Sequence, residues 1–144
     1  MEQTRGDYTI STDPARMNVD AIHAYLSRSY WAEGVPREIV ERLLLGSLTF
    51  GLFYRGAQVG LARVVTDRAT FAYLCDVYVL EEHQGRGLGR WLVETVMAHQ
   101  DLQGLRRFSL VTRDAHALYS TFGFSALASP GGHMEIVRPG LYLR

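Results

Sequence analysis

The run Gln84-Gly85-Arg86-Gly87-Leu88-Gly89 joins a long apolar stretch to a segment of helical period, and it constrains this chain more than any other feature. Glycine loses more backbone freedom on folding than any other residue, so three of them within five positions weaken a fold unless the main chain must turn tightly or be closely approached. A glycine turn that opens into a helix exposes bare N–H groups at the positive end of the helix dipole, which suits an anion such as phosphate. The plainer alternative is a tight strand-to-helix connection and nothing more. The surrounding pattern has to decide between them.

Tyr8 to Ser11 reads as a first strand. Asn18 is a good helix cap, followed at helical spacing by Val19, Ile22, Tyr25 and Leu26. The segment from Ser29 to Val35 breaks that helix, and Pro36 suits the first turn of a second one bearing Ile39, Val40, Leu43 and Leu44. From Leu48 the period becomes that of strands. Leu48 to Tyr54 and Gln58 to Val65 form a hairpin about Arg55-Gly56-Ala57, and Thr70 to Leu80 is a long β-rich run. Residues 87–99 carry Leu88, Trp91, Leu92, Thr95 and Val96 on one helical stripe. Arg107 to Thr112 is a fifth strand, and Asp114 is placed to cap a short helix with Ala115, Leu118 and Phe122, stopped by Gly123. Phe124 to Leu127 and His133 to Val137 read as two closing strands. The order βααβββαβαββ predicts an α/β (α+β) chain, one domain over 1–144, with a mixed, mostly antiparallel central sheet flanked by helices.

Composition narrows the function classes. Fifteen Lys and Arg balance fifteen Asp and Glu, so no global field favours nucleic acid or an anionic membrane. A polyanionic ligand must be held by local geometry. Cys75 is the only cysteine, which excludes an internal disulfide; it lies in an apolar strand and reads as a buried packing residue. The N-terminal residues lack the apolar core of a signal peptide, and no segment reaches the roughly 18 apolar residues of a membrane span, so a cytoplasmic location is expected. The five histidines show no paired ligand spacing, and no metal is expected.

Two common phosphate loops fail. A dinucleotide fingerprint requires G-x-G-x-x-G, but the position of its third glycine, counted from Gly85, is Arg90; a P-loop requires Gly-Lys-Ser/Thr, which is missing. The pattern Gln/Arg-x-x-Gly-x-Gly/Ala, about five residues after a strand-ending valine (here Val79), resembles that of the GNAT family of acyl-CoA-dependent N-acetyltransferases. A second motif, Ala115-His116-Ala117-Leu118-Tyr119-Ser120-Thr121-Phe122-Gly123-Phe124, resembles the family's A-x-x-L-Y-x-x-x-G-F helix. The likeness extends to the order of elements along most of the chain.

The resemblance implies that the main chain of Gln84, Gly85, Arg86, Gly87, Leu88 and Gly89 takes the pyrophosphate of acetyl-CoA, with local charge from Arg86 and Arg90. It implies that the strand through Val77 and Val79 parts from its neighbour and pairs with the pantetheine arm, the Val79 N–H lying near the thioester carbonyl. Tyr119 is then the general acid for the departing thiolate. Many members have Asn three residues before the Ala of this helix; here Thr112 stands there, and offers one hydrogen bond. An alkyl amine is protonated at neutral pH, and a carboxylate, directly or through water, could accept its proton. Glu33, in the loop between the first two helices, and Asp76, in the central strand, are the candidates, with Asp76 equally readable as a hydrogen-bonded structural residue. Tyr30 and Trp31 are expected either to wall the acceptor or to cap the core. The expectation is acetylation of a small-molecule primary amine by direct attack. The alternatives are an acyl-CoA-binding sensor without turnover and a protein or peptide N-acetyltransferase. An exposed sheet edge near the C-terminus would suit a homodimer.

Overall fold

A computed structural model describes all 144 residues. Six strands form one sheet: β1 (Glu2–Arg5), β2 (Tyr8–Ser11), β3 (Leu48–Tyr54), β4 (Ala57–Thr66), β5 (Phe71–Val79) and β6 (Arg107–Leu110), and they lie side by side in chain order. Every pair is antiparallel except β5 and β6, which are parallel. Four helices flank the sheet: α1 (Val19–Leu26), α2 (Arg37–Leu45), α3 (Leu88–Ala98) and α4 (His116–Ser120).

Local chemistry accounts for the boundaries. The Asn18 side chain accepts from the Ala21 N–H at 3.0 Å and opens α1, as its position in the sequence predicts. Arg55 and Gly56 both adopt positive φ, the geometry a two-residue hairpin turn requires between β3 and β4. Asp67 closes the β4–β5 turn by accepting from the N–H groups of Ala69, Thr70 and Phe71.

Two apolar layers result. Trp91, Leu92, Val93 and Val96 of α3 pack on one face of the sheet against Phe50, Leu52, Val64 and Leu74. Ile22 and Leu26 of α1 and Val40 of α2 pack on the other against Leu61 and Tyr78.

Two readings of the ends need correction. β1 pairs with β2 across Gly6-Asp7, although Glu2–Arg5 is wholly exposed and carries no hydrophobic period; only the Gly-Asp turn announces it. The expected closing strands at 124–127 and 133–137 do not form, and the final stretch holds only short 3-10 turns at Pro130–Gly132 and Leu141–Leu143. Alternation predicts an extended chain, but a strand exists only where a neighbour accepts its hydrogen bonds. There Met134 is 97% and Ile136 83% exposed, so the apolar alternation at 133–137 marks no buried face.

The sheet is interrupted where it matters. β6 pairs with β5 from Phe71 to Leu74 and stops, while β5 runs on to Val79. Between the pairs Arg63–Cys75 and Leu61–Tyr78, Asp76 and Val77 face Ala62 alone, and Asp76 takes φ +50°. This bulge bends β5 away from β6.

Candidate active site

The parting of β5 and β6 leaves a cleft of about 680 Å³, lined by β5 from Tyr73 to Val79, by Leu110 to Ala115 after β6, and by Tyr119. Tyr25 and the turn from Arg28 to Trp31 form a third wall, and Gln84 and Gly89 stand at one end.

Val79 faces this space with its main chain. The Leu80 N–H donates to the Val59 carbonyl, which makes Gly60–Val79 a pair whose own N–H and carbonyl groups point away from each other. The Val79 carbonyl accepts from the Gln84 side chain at 2.9 Å, while its N–H is directed towards the gap left by β6. Gln84 thus anchors the loop to the end of β5. Its own N–H donates to the Glu81 carbonyl and is not available to a ligand, a departure from the expected role.

The N–H groups from Gly85 to Arg90 bond to no other main-chain group. Gly85 and Gly87 hold φ near +80° and +76°, a region L side chains seldom enter. A Cβ added at Gly85, Gly87 or Gly89 would meet no protein atom within 4 Å, so the loop is bare on its outer side rather than packed. A tight connection alone leaves Gly89 unexplained, since it is helical and has room for a side chain. An anion seated against the row of N–H groups explains both glycine classes. Arg86 is exposed and unpaired, whereas Arg90 turns towards Glu94 and towards Thr121 of the α4 end.

Tyr119 is 9% exposed, lines the cleft and makes no side-chain hydrogen bond within the protein. Burial, then the nearby Asp114 and Tyr30, raise its pKa above the ordinary phenol value, so it carries its proton at neutral pH. Thr112 Oγ1 accepts from the Ala115 N–H at 3.0 Å. That bond closes the turn leading into α4, whereas Asp114, expected to cap this helix, makes no such bond, and no side chain caps the helix.

Asp76 is buried at the bulge. One carboxylate oxygen accepts from Trp31 Nε1 and the other from Arg63 Nε, each at 2.7 Å, and Arg63 donates onward to Ser47. Glu33 is exposed and lies outside the cleft lining, because the turn that carries it points Tyr30 and Trp31 inward. It is not positioned for the base role expected of it. Asp114 is the carboxylate sequence reasoning missed: it lines the cleft with no ion pair and no hydrogen bond. Reading it as a cap hid it. Cys75 is only half-buried and also lines the cleft, against the expectation of a packed interior thiol. Burial nevertheless pushes that thiol up to about 12, so it is no thiolate near pH 7.

Tyr30 and Trp31 line the cleft rather than cap the core. Their rings meet edge to face at 5.0 Å, and Tyr25 stacks on Tyr78 at 3.9 Å behind them. The Arg113 guanidinium lies 3.8 Å above the Tyr30 ring, joining the β6–α4 loop to the α1–α2 loop.

The family model described as acetyltransferase (GNAT) domain matches residues 46–126, which spans β3 to the residues just past α4 and includes most of this geometry. The chain belongs to the GNAT acetyltransferase family. As a member it is an acyltransferase. It is similar to a candidate acetyltransferase of Gibberella zeae, with 42% identity over 81% of this chain and 77% of that protein. It is also similar to a solved GNAT-family structure from Xanthomonas campestris pv. campestris, with 51% identity, 94% and 96% coverage of the two chains and a TM-score of 0.92. A GNAT acetyltransferase from Elizabethkingia anophelis, solved with acetyl-CoA bound, shares the fold at a TM-score of 0.65 and 16% identity, over 94% of this chain and 92% of that one. No helix of this GNAT chain is long and apolar enough to cross a membrane.

Proposed function

We propose that this GNAT protein transfers an acetyl group from acetyl-CoA to the primary amine of a small molecule, by direct attack and without an acylated enzyme. One observation carries the reading: the unbonded N–H row from Gly85 to Arg90 stands at the end of a cleft whose wall holds a free, protonated tyrosine. Acetyl-CoA supplies the activated thioester. The N–H groups after Gln84, with Arg86, hold its pyrophosphate, and the freed edge of β5 at Val77 and Val79 bonds its extended arm. The Thr112 hydroxyl accepts from the Ala115 N–H and keeps its O–H donor for that arm.

The amine nitrogen bonds the carbonyl carbon as the carbon–sulfur bond breaks. The Val79 N–H meets the negative charge developing on the carbonyl oxygen, an effect typically worth about 3 kcal/mol. Tyr119 gives its proton to the departing sulfur. The amine's proton passes to Asp114, the cleft carboxylate with no internal partner, directly or through water. Asp76 is a positioning residue that holds Trp31 and Arg63. With its thiol protonated, Cys75 is a poor nucleophile, which favours direct attack over a covalent route.

Free-thiol release from acetyl-CoA over a panel of primary amines and short peptides tests this. Release with small amines supports the reading. Tight acetyl-CoA binding with no release from any amine would make the protein a sensor, and release with peptides alone would make it a peptide acetyltransferase.

A further inference from the structure

Two arginines and two aspartates line the cleft, and their pairing is uneven. Arg28 gives both terminal nitrogens to Glu81, at 2.8 and 3.0 Å, so its charge is already matched. Asp76 is matched by Arg63. Arg113 and Asp114 remain: neighbours in sequence, of opposite charge, in no ion pair and in no hydrogen bond.

Arg113 is nonetheless held. Its guanidinium carbon sits 3.8 Å over the centre of the Tyr30 ring, and none of its N–H donors is taken by a partner within the protein. A carboxylate takes two of those donors in plane, the strongest arrangement a guanidinium offers. An ammonium group finds the opposite situation, because this face of Tyr30 already carries a cation that repels a second one. We infer that the acceptor is an amino acid: its amine is received beside Asp114 and Tyr119, and its carboxylate is bound by Arg113. This rests on the transferase reading above and adds the substrate class. Arg113 is then the residue that sets specificity.

The test uses matched acceptors: glycine, β-alanine and 4-aminobutyrate, each beside its primary amide, with 1,4-diaminobutane as the dication. The measured quantity is the ratio of kcat/KM for acid over amide. At the chain length that fits, the wild-type ratio is expected to be tenfold or more, with the diamine poorest. In Arg113→Gln the ratio is expected to fall to about one, and Arg113→Lys should restore part of it. A general structural defect lowers acid and amide alike and leaves the ratio in place. Equal use of acid and amide by the wild type would overturn the inference, as would a preference that survives Arg113→Gln or a preference for the diamine. Acetyl-CoA binding with no acetylation of any acceptor is a different result and would sink the transferase reading itself.

Discussion

Burial, and after it the charge of Asp114, set the protonation of Tyr119. Burial and the Asp114 carboxylate both raise the phenol's pKa, and the protonated phenol is the competent acid, so activity should hold across the alkaline range and decline only above about pH 10. In Asp114→Asn one raising charge is gone, and the alkaline limb of kcat should move towards lower pH while the rate near neutrality drops for want of a proton acceptor. Tyr119→Phe should lower kcat about 100-fold, within the usual span for a general acid, with acetyl-CoA affinity retained in calorimetry. Unchanged turnover in that variant would remove the acid role. The Arg63–Asp76 pair is of another kind. Removing one partner strands a buried charge, so Arg63→Ala should cost about 3 kcal/mol of stability and loosen Trp31 as well.

At the scale of elements, the glycine loop separates stability from binding. Gly89 is helical, its φ is unexceptional and a Cβ there meets nothing, so Gly89→Ala should stabilise the free protein by about 1 kcal/mol through helix propensity. The same methyl group intrudes on the anion's seat, so acetyl-CoA should bind more weakly. Thermal melting with and without acetyl-CoA reads both signs; a variant that gained stability and kept its affinity would mean the loop is only a connection. This loop, the helix behind it and the hairpin of β3 and β4 were legible because each rests on neighbours in sequence: Gly87 beside Leu88, Trp91 and Leu92, and Arg55-Gly56 between two apolar runs. Of the cleft's third wall, Tyr30 and Trp31 were legible as one of two readings, but what holds them was not. The partners of Asp76 are Arg63 and Trp31, 13 and 45 positions away, and no spacing rule reaches them. The ends of the sheet failed for a related reason: β1 is made by pairing with β2 and not by its own residues, and the 133–137 segment has the residues of a strand with no strand beside it.

For the whole molecule, the sheet is clamped between two apolar layers, and the α3 side is the larger. Trp91, nearly fully buried, sits under the β1 hairpin, with its Nε1 donating to Gln3 and Arg5 over its ring. Trp91→Ala should cost about 4 kcal/mol in denaturant unfolding. Acid should weaken the fold through His99 at the end of α3. Burial lowers its pKa and its Nδ1 accepts from the Asp101 N–H, so the unfolded chain takes up a proton that the folded one resists. Its contribution is whole above about pH 6.5 and is lost as the pH falls through the lower folded-state value; His99→Gln should flatten the loss of melting temperature between pH 7.5 and 5.5.

Strand order along the sheet is also the order of synthesis. From β2 onward each strand pairs with one made before it, although β3 reaches back across both helices to β2 and β6 reaches back across α3 to β5. The free edge of β5 and the glycine loop thus precede β6, Arg113, Asp114 and Tyr119 in the chain. The residues proposed to hold acetyl-CoA at the loop are therefore made before Asp114 and Tyr119, the residues proposed to move protons.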